Sequence, residues 1–592
     1  MERTSNMAAP AGSMIATLGA LYRSLSRRRQ RNLIIALSVM LLGAFAELLT
    51  IGAVLPFLAL VSNPASAETL PGFRLFAALV GGQPGENLIV EATAFLIVAT
   101  ILAAVTRMVI LRVTHKFVFG LGHEIGTAIF SRMLHQPYSL FVSRNSSELL
   151  GSVEKVHAMI FGVLMPLMQG TIASLIALAI IAFLFVIEPT TAAIATGSVV
   201  SLYLGVSIAS RRRLKANSAI IGQLGTARMK ALQEGLGGIR DILLEQSQPI
   251  FEESFRKIDY RYRGAQAANQ FIAGAPRYLI EAAGIVMIGL LALYMSGRPG
   301  GIVAAIPVLG ALALGAQRLL PLLQIAYTGW SQFTGNLQMV QDIVTLLHAP
   351  VVASERRRPG APVVPFCTDI VFDRVGFRYP GRDPVLHDID LNIARGARIG
   401  LSGTTGSGKS TFLDLFMALL DPAQGQIRID GRPLDDASRA DWQAQIAHVP
   451  QSIYLADSSI AANIAFGEEE AGIDLDRVRE AARHAQLDDF IERLPEGYAT
   501  LVGERGVRIS GGQRQRIAIA RALYKQANVL IFDEATGQLD QKTEKAVMDA
   551  IAAMGRDITM LIVAHRPSAL AGCDRVVRIE NGRIVAIENA AA

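Results

Sequence analysis

The sequence predicts a multidomain membrane protein: an all-α domain of six transmembrane helices followed by an α/β phosphate-binding domain. Three observations carry that prediction. The chain of 592 residues is too long for one domain, and 51% hydrophobic content with a mean hydropathy of +0.37 is too apolar for a soluble enzyme. Six apolar runs, near residues 33–61, 88–111, 159–187, 190–210, 278–296 and 302–327, approach the ~20 helical residues that a ~30 Å hydrocarbon core requires. Behind them, Gly403-Thr404-Thr405-Gly406-Ser407-Gly408-Lys409-Ser410 has the GxxxxGKS spacing of a phosphate cradle.

The third and fourth runs meet at Ile187-Glu188-Pro189, which reads as a tight hairpin. A buried hairpin of a large soluble protein is the alternative, but residues 158–187 carry no charge at all, which favours lipid. Orientation follows from the basic residues. Arg23, Arg27, Arg28, Arg29 and Arg31 precede the first run, and eleven Lys and Arg residues from Arg211 to Arg263 separate the fourth from the fifth. The opposite loops offer only Arg74 and Arg298, so both termini are expected in the cytoplasm. This asymmetry, with attraction to anionic lipid, accounts for the net charge of +6 and pI near 9.3, and no nucleic acid partner is expected. Residues 1–31 are polar and arginine-rich, and the apolar run behind them is too long for a cleavable signal. The two cysteines, Cys367 and Cys573, suggest neither disulfide nor metal site.

The cradle has the right flanks: residues 397–401 read as a strand and 411–417, from Thr411 on, as a buried helix. Its glycines let backbone N–H groups curl around phosphates, Lys409 adds a point charge, and Ser410 offers a hydroxyl to Mg²⁺. Downstream, Ser510-Gly511-Gly512-Gln513 opens a helix whose glycines allow close approach of an anion. The apolar strand 529–532 ends in Asp533 and Glu534, a pair that in isolation reads as a helix cap.

Together these motifs resemble the ATP-binding cassette family. The resemblance implies ATP and Mg²⁺ as ligands, with the metal held by Ser410, Gln451 and Asp533, and Glu534 polarising the attacking water as general base. It implies that Tyr379 stacks on adenine and that His565 bonds the γ-phosphate; alone, such an aromatic reads as core and such a histidine as structural. Residues 500–506 resemble the cross-linking loop of exporters. Where most members read Ser-Ala-Leu-Asp, this chain has Gly537-Gln538-Leu539-Asp540, which puts communication between paired ATP sites in question. In this family ATP lies between the cradle of one cassette and the signature of another. One copy of each in this chain therefore implies a homodimer of half-transporters, with a heterodimer as the alternative.

The expected layout is a type I exporter: transmembrane domain 1–345, linker 346–368 and nucleotide-binding domain 369–592. Bends near 137–141 and 238–244 resemble coupling helices, and Asp430-Gly431 and Asn581-Gly582 read as hairpin turns.

Three arginines, Arg107, Arg277 and Arg318, sit in or beside apolar runs. Each costs about 2.5–3.5 kcal/mol at mid-bilayer, so each is expected to face water, a carboxylate such as Glu47 or Glu281, or an anionic ligand. Segments 47–60, 145–159, 275–285 and 317–321 resemble bacterial flippases of lipid-linked oligosaccharide, which carry cavity arginines at these places and a short outward helix where residues 71–79 fall. The resemblance implies a pyrophosphate-linked glycan as substrate, gripped by the guanidinium groups and moved across the bacterial inner membrane. Export of another lipid such as lipid A, a peptide or a drug is the alternative.

Overall fold

The computed structural model describes residues 14–62, 88–143, 146–187, 189–296, 301–349, 351, 366–534, 541–553, 557–564, 570 and 572–589. They form two units, Met1–Gln136 with Arg144–Pro350, and Pro137–Ser143 with Val351–Ala592.

Among the described residues, the first unit is all helical. Its long helices are Arg27–Ser62, Leu88–Leu134, Met165–Ile187, Pro189–Gly237, Gln248–Ser296 and Gly301–Gly335. At 1.5 Å per residue, the 49-residue helices Pro189–Gly237 and Gln248–Ser296 measure ~70 Å, more than twice the hydrocarbon thickness. Among the described residues, Arg27–Thr50, Ile89–Leu134 and Gly151–Phe183 are long and apolar enough to cross a bilayer. The other three expected spans lie in helices whose side chains fall partly outside the described residues. The expected hairpin is seen as a helix end at Ile187 and a new start at Pro189, where proline's missing N–H costs nothing. Short helices at Tyr138–Ser143 and Ile239–Leu244 occupy the two expected bends. The segment 71–79 lies outside the described residues.

One feature was hidden by average composition. Within the stretch read as a polar lead, Met14–Ser24 is a separate helix. Met14, Leu18 and Leu21 recur at helical spacing, and with Leu25 they join the core formed with Val340, Ile343 and Val344 of helix Leu337–Leu347. Arg29 then pairs with Glu124 at 2.9 Å and fixes the entry into the first long helix.

The second unit holds two sheets. An antiparallel sheet has the order β2-β1-β4-β5, from β1 (Asp369–Arg378), β2 (Pro384–Ala394), β4 (Gln424–Ile429) and β5 (Arg432–Pro433). The other has the order β10-β9-β3-β8-β7-β6, from β3 (Arg398–Ser402), β6 (Ile446–Val449), β7 (Val529–Asp533), β8 (Thr559–Val563), β9 (Arg575–Glu580) and β10 (Arg583–Asn589). Both predicted hairpins form: Asp430-Gly431 and Asn581-Gly582 have φ of 49°, 75°, 46° and 73°, the positive values a primed turn requires. Between the sheets, Phe372 stacks on Phe412 at 4.8 Å amid Ile399, Leu401, Ile531 and Val563. Each such side chain contributes about 1.5–3 kcal/mol on burial. A second core gathers Ile464, Val478, Ile517 and Ile519. Strands β3, β7 and β8 run parallel, so the residues after them emerge at one edge, where ligands bind α/β sheets.

Candidate functional site

The loop after β3 is shaped by glycines where the backbone leaves the right-handed regions. Gly408 caps the helix Lys409–Phe416 at φ 103°, and a Cβ at Gly403 would collide with the carbonyl oxygen of Ile579. That loop lays its N–H groups at a helix N-terminus, a ready anion site. Lys409 is 9% exposed, and its Nζ donates to the carbonyls of Gly403 and Thr404 at 2.8 and 3.0 Å. Ser407 is buried with no partner for its Oγ. Thr404, Thr405, Gly406, Ser410 and Thr411 complete the cradle. Tyr379 lies just beyond β1, its hydroxyl 3.4 Å from the Thr411 hydroxyl, which brings the expected adenine platform to the same helix.

Two carboxylates stand at the neighbouring strand end. Burial and the Glu534 charge push the Asp533 carboxyl above the usual range, against the pull of Lys409. Glu534 adopts φ 49°, a left-handed conformation that costs a non-glycine residue about 1 kcal/mol, and its N–H donates to Val563 O at 2.9 Å. Gln451 Nε2 donates to Glu534 Oε2 at 2.7 Å, so two residues 83 apart in sequence meet at the strand end. The oxygen donors Ser410, Gln451 and Asp533 suit a hard cation that keeps water and phosphate ligands. His565, Gly537, Gln538 and Asp540 lie outside the described residues.

The signature sits elsewhere. Ser510 caps the helix Gly511–Tyr524 in a reciprocal box: its Oγ accepts from Gln513 N at 3.3 Å, and Gln513 Oε1 accepts from Ser510 N at 2.8 Å. That helix belongs to the second core, whereas Phe412 and Phe416 of the cradle helix belong to the first. Arg514 donates to the carbonyls of Gly506 and Ile509 and so ties the 500–506 loop to the signature helix.

Of the three membrane arginines, two are paired. Arg107 grips Glu47 through Nε at 3.0 Å and Nη2 at 2.7 Å, and Arg277 meets Glu281 at 2.7 Å. The side chain of Arg318 lies outside the described residues.

Sequence reasoning missed Asp414 and His448 here, whereas Tyr138 lies in the bend read as a coupling helix. Tyr138, from the short helix Tyr138–Ser143, belongs to this unit; burial raises its phenol, and Asp414 and Tyr379 add to the shift. Asp414 is pushed up to about 6 by burial and by Asp533, and burial holds His448 down at about 4. The last two act oppositely on stability. Between about pH 6.5 and 4 the unfolded chain protonates His448 while the folded chain does not, so this residue's contribution, up to about 3 kcal/mol, is lost as pH falls. Asp414 takes up its proton more readily in the folded state, so it favours folding as pH falls through about 6. Thermal unfolding of the detergent-solubilised chain should therefore show a smaller acid-induced drop in midpoint for His448→Leu than for wild type, and a larger one for Asp414→Asn. Parallel curves for all three proteins would contradict the assignment.

A buried lysine in a glycine loop, an acidic strand end beside it, a capped signature helix and long apolar helices define a membrane-embedded ATPase. The ABC transporter family model matches residues 386–537. The ATP-dependent lipid A-core flippase of Cupriavidus metallidurans is 32% identical over 465 residues, 77% of each chain. The protein of the same name from Escherichia coli K12 is 31% identical over 467 residues, 77% of this chain and 78% of that one. A bacterial Atm1-family ABC exporter solved with ATP bound shares the fold, with TM-score 0.76, 22% identity and 95% of each chain covered. The chain belongs to the ABC transporter family, as an exporter half-transporter that spans the membrane repeatedly and couples ATP hydrolysis to transport.

Proposed function

We propose that this protein is a homodimeric flippase that carries a phosphorylated glycolipid of the lipid A-core type from the cytoplasmic to the periplasmic leaflet of a bacterial inner membrane. The supporting observation is the identity to lipid A-core flippases: a match of 465 residues is too long to lie in the cassette alone and so includes membrane helices. The narrower expectation of a pyrophosphate-linked oligosaccharide rested on four membrane segments and on three cavity arginines, and the pairing of Arg107 with Glu47 and of Arg277 with Glu281 weakens the second ground. A glycolipid headgroup is charged and hydrated, and hydrocarbon excludes both properties.

In this reading Lys409 and the loop N–H groups hold the β- and γ-phosphates, Tyr379 stacks on adenine, and the signature Ser510-Gly511-Gly512-Gln513 of a second copy closes over them. Glu534, oriented by Gln451, accepts the proton of the attacking water, and His565 steadies the γ-phosphate. Mg²⁺, held by Ser410, Asp533 and Gln451, would neutralise charge on the phosphates. Closure of paired cassettes turns the membrane cavity outward, and hydrolysis resets it. The helix Ile239–Leu244 leaves Leu243 and Leu244 at 57% and 73% exposure, apolar surface that a second copy would cover.

The test is reconstitution in proteoliposomes with two substrates in parallel: a diphosphorylated hexa-acyl glucosamine disaccharide lipid, and a polyprenyl-pyrophosphate oligosaccharide. ATP-dependent exposure of the first on the far leaflet is the expected result. Movement of the second alone, or of neither, would reject the proposal.

A further inference from the structure

A cavity of about 200 Å³ opens between the helices Met165–Ile187, Gln248–Ser296 and Gly301–Gly335, lined by Phe161, Gly162, Gln169, Gln270, Thr328 and Gln332 among others. Among the described residues that line it, none has a charged side chain. Each of the three helices contributes one amide, and Gln332 Nε2 donates to Gln270 Oε1 at 3.0 Å across two of them. Thr328 Oγ1 accepts from Gln324 Nε2 at 3.2 Å.

The sequence explains why the cavity forms here. Pro166 has no N–H, so it cannot bond the carbonyl of Gly162 four residues back, and the helix widens to π winding over Ile160–Leu164. Met165 N–H reaches Ile160 O instead, and Asn336 Nδ2 approaches Gly162 O at 3.5 Å while donating to Gln332 O at 2.8 Å. Alongside, a Cβ at Gly329 would stand 2.6 Å from Pro166 O, so only glycine permits the two helices to touch. Gln270 and Gln332 lie on the cytoplasmic side of the expected spans 278–296 and 302–327, at the depth of inner-leaflet headgroups. Polar side chains at that position face a watery cavity more favourably than lipid.

We propose that this cavity binds one uncharged sugar ring of the transported headgroup as it enters from the inner leaflet. The inference rests on the glycolipid reading above and deepens it. A sugar hydroxyl both donates and accepts, and a primary amide offers both complements. Phe161, 51% exposed, supplies a flat apolar face for the ring's C–H surface. The uncharged amides and hydroxyl among the described lining residues suit a neutral polar ring better than a phosphate, and the volume falls below the ~300–1,000 Å³ of sites for larger ligands.

The experiment uses the full chain in nanodiscs and an octyl glucosaminide bearing a diazirine on its N-acyl group. Photolabel is expected on peptides around Phe161 and Gln332, falling at least tenfold in Gln270→Leu/Gln332→Leu. Gln169→Leu, at an exposed position on the third helix, serves should the double variant fail to assemble, and its labelling is expected to fall at least threefold. Undiminished labelling in the variants, or the same labelled peptides with a sugar-free octyl diazirine, would overturn the site. Sugar-dependent label here in a chain that moves no glycolipid would support the site while rejecting the flippase reading. Glycolipid transport without label here would retain the flippase and reject the site.

Discussion

Replacing Glu534 with glutamine should lower ATP turnover by about 10²–10⁴ while leaving ATP affinity within about threefold. The geometry sets this expectation. Glu534 is held by its backbone bond to Val563 and by the 2.7 Å contact from Gln451, and both restraints can survive in the amide, whose side chain can rotate to present its oxygen to Gln451. What the amide cannot do is accept a proton from water. Nucleotide contacts are expected to be untouched, because in the proposed site Lys409 and loop N–H groups bind the phosphates. Single-turnover hydrolysis and equilibrium binding of a fluorescent ATP analogue separate the two effects. Turnover within tenfold of wild type would remove Glu534 from its role. A matching collapse of affinity would make the residue structural instead.

The second large effect concerns the signature. Lys409→Ala and Gly512→Asp should each reduce turnover by about 10²–10³, the first by removing the positive charge that faces the phosphates and the second by placing a carboxylate against the γ-phosphate. Mixing the two chains before assembly should restore activity. In a mixed dimer both lesions fall in one ATP site and the other is whole, so random assortment returns turnover toward about a quarter of wild type. A chain that completed its own site would gain nothing from mixing. One cradle and one signature per chain make restoration the expected outcome. A mixture no more active than its parents would contradict shared sites.

The cassette was the most legible part of the chain because its motifs are local. The runs read as strands near 397–401 and 529–532 are observed at Arg398–Ser402 and Val529–Asp533, since short apolar runs ending in glycine or acid leave little choice of ending. Asp430-Gly431 and Asn581-Gly582 declared their turns by backbone preference alone. The helix Met14–Ser24 was missed because three apolar residues on one face vanish in an arginine-rich average. The left-handed backbone of Glu534 and its contact with Gln451 depend on chain segments distant in sequence. The cavity at the π turn had a local sign, Pro166 within a charge-free run, but which amides gather around it depends on how three helices pack.

Helices of 47 to 49 residues have the length to act as levers. Pivoting about its middle by ten degrees, a rod ~70 Å long swings each tip by about 6 Å, comparable to one full helical turn. Modest rotation at one end is thereby converted into displacement large enough to open or shut a passage at the other. Stiffness along the rod is what such a stroke demands, and Leu88–Leu134 and Pro189–Gly237, without internal proline, meet that demand better than Gln248–Ser296, which holds Pro276.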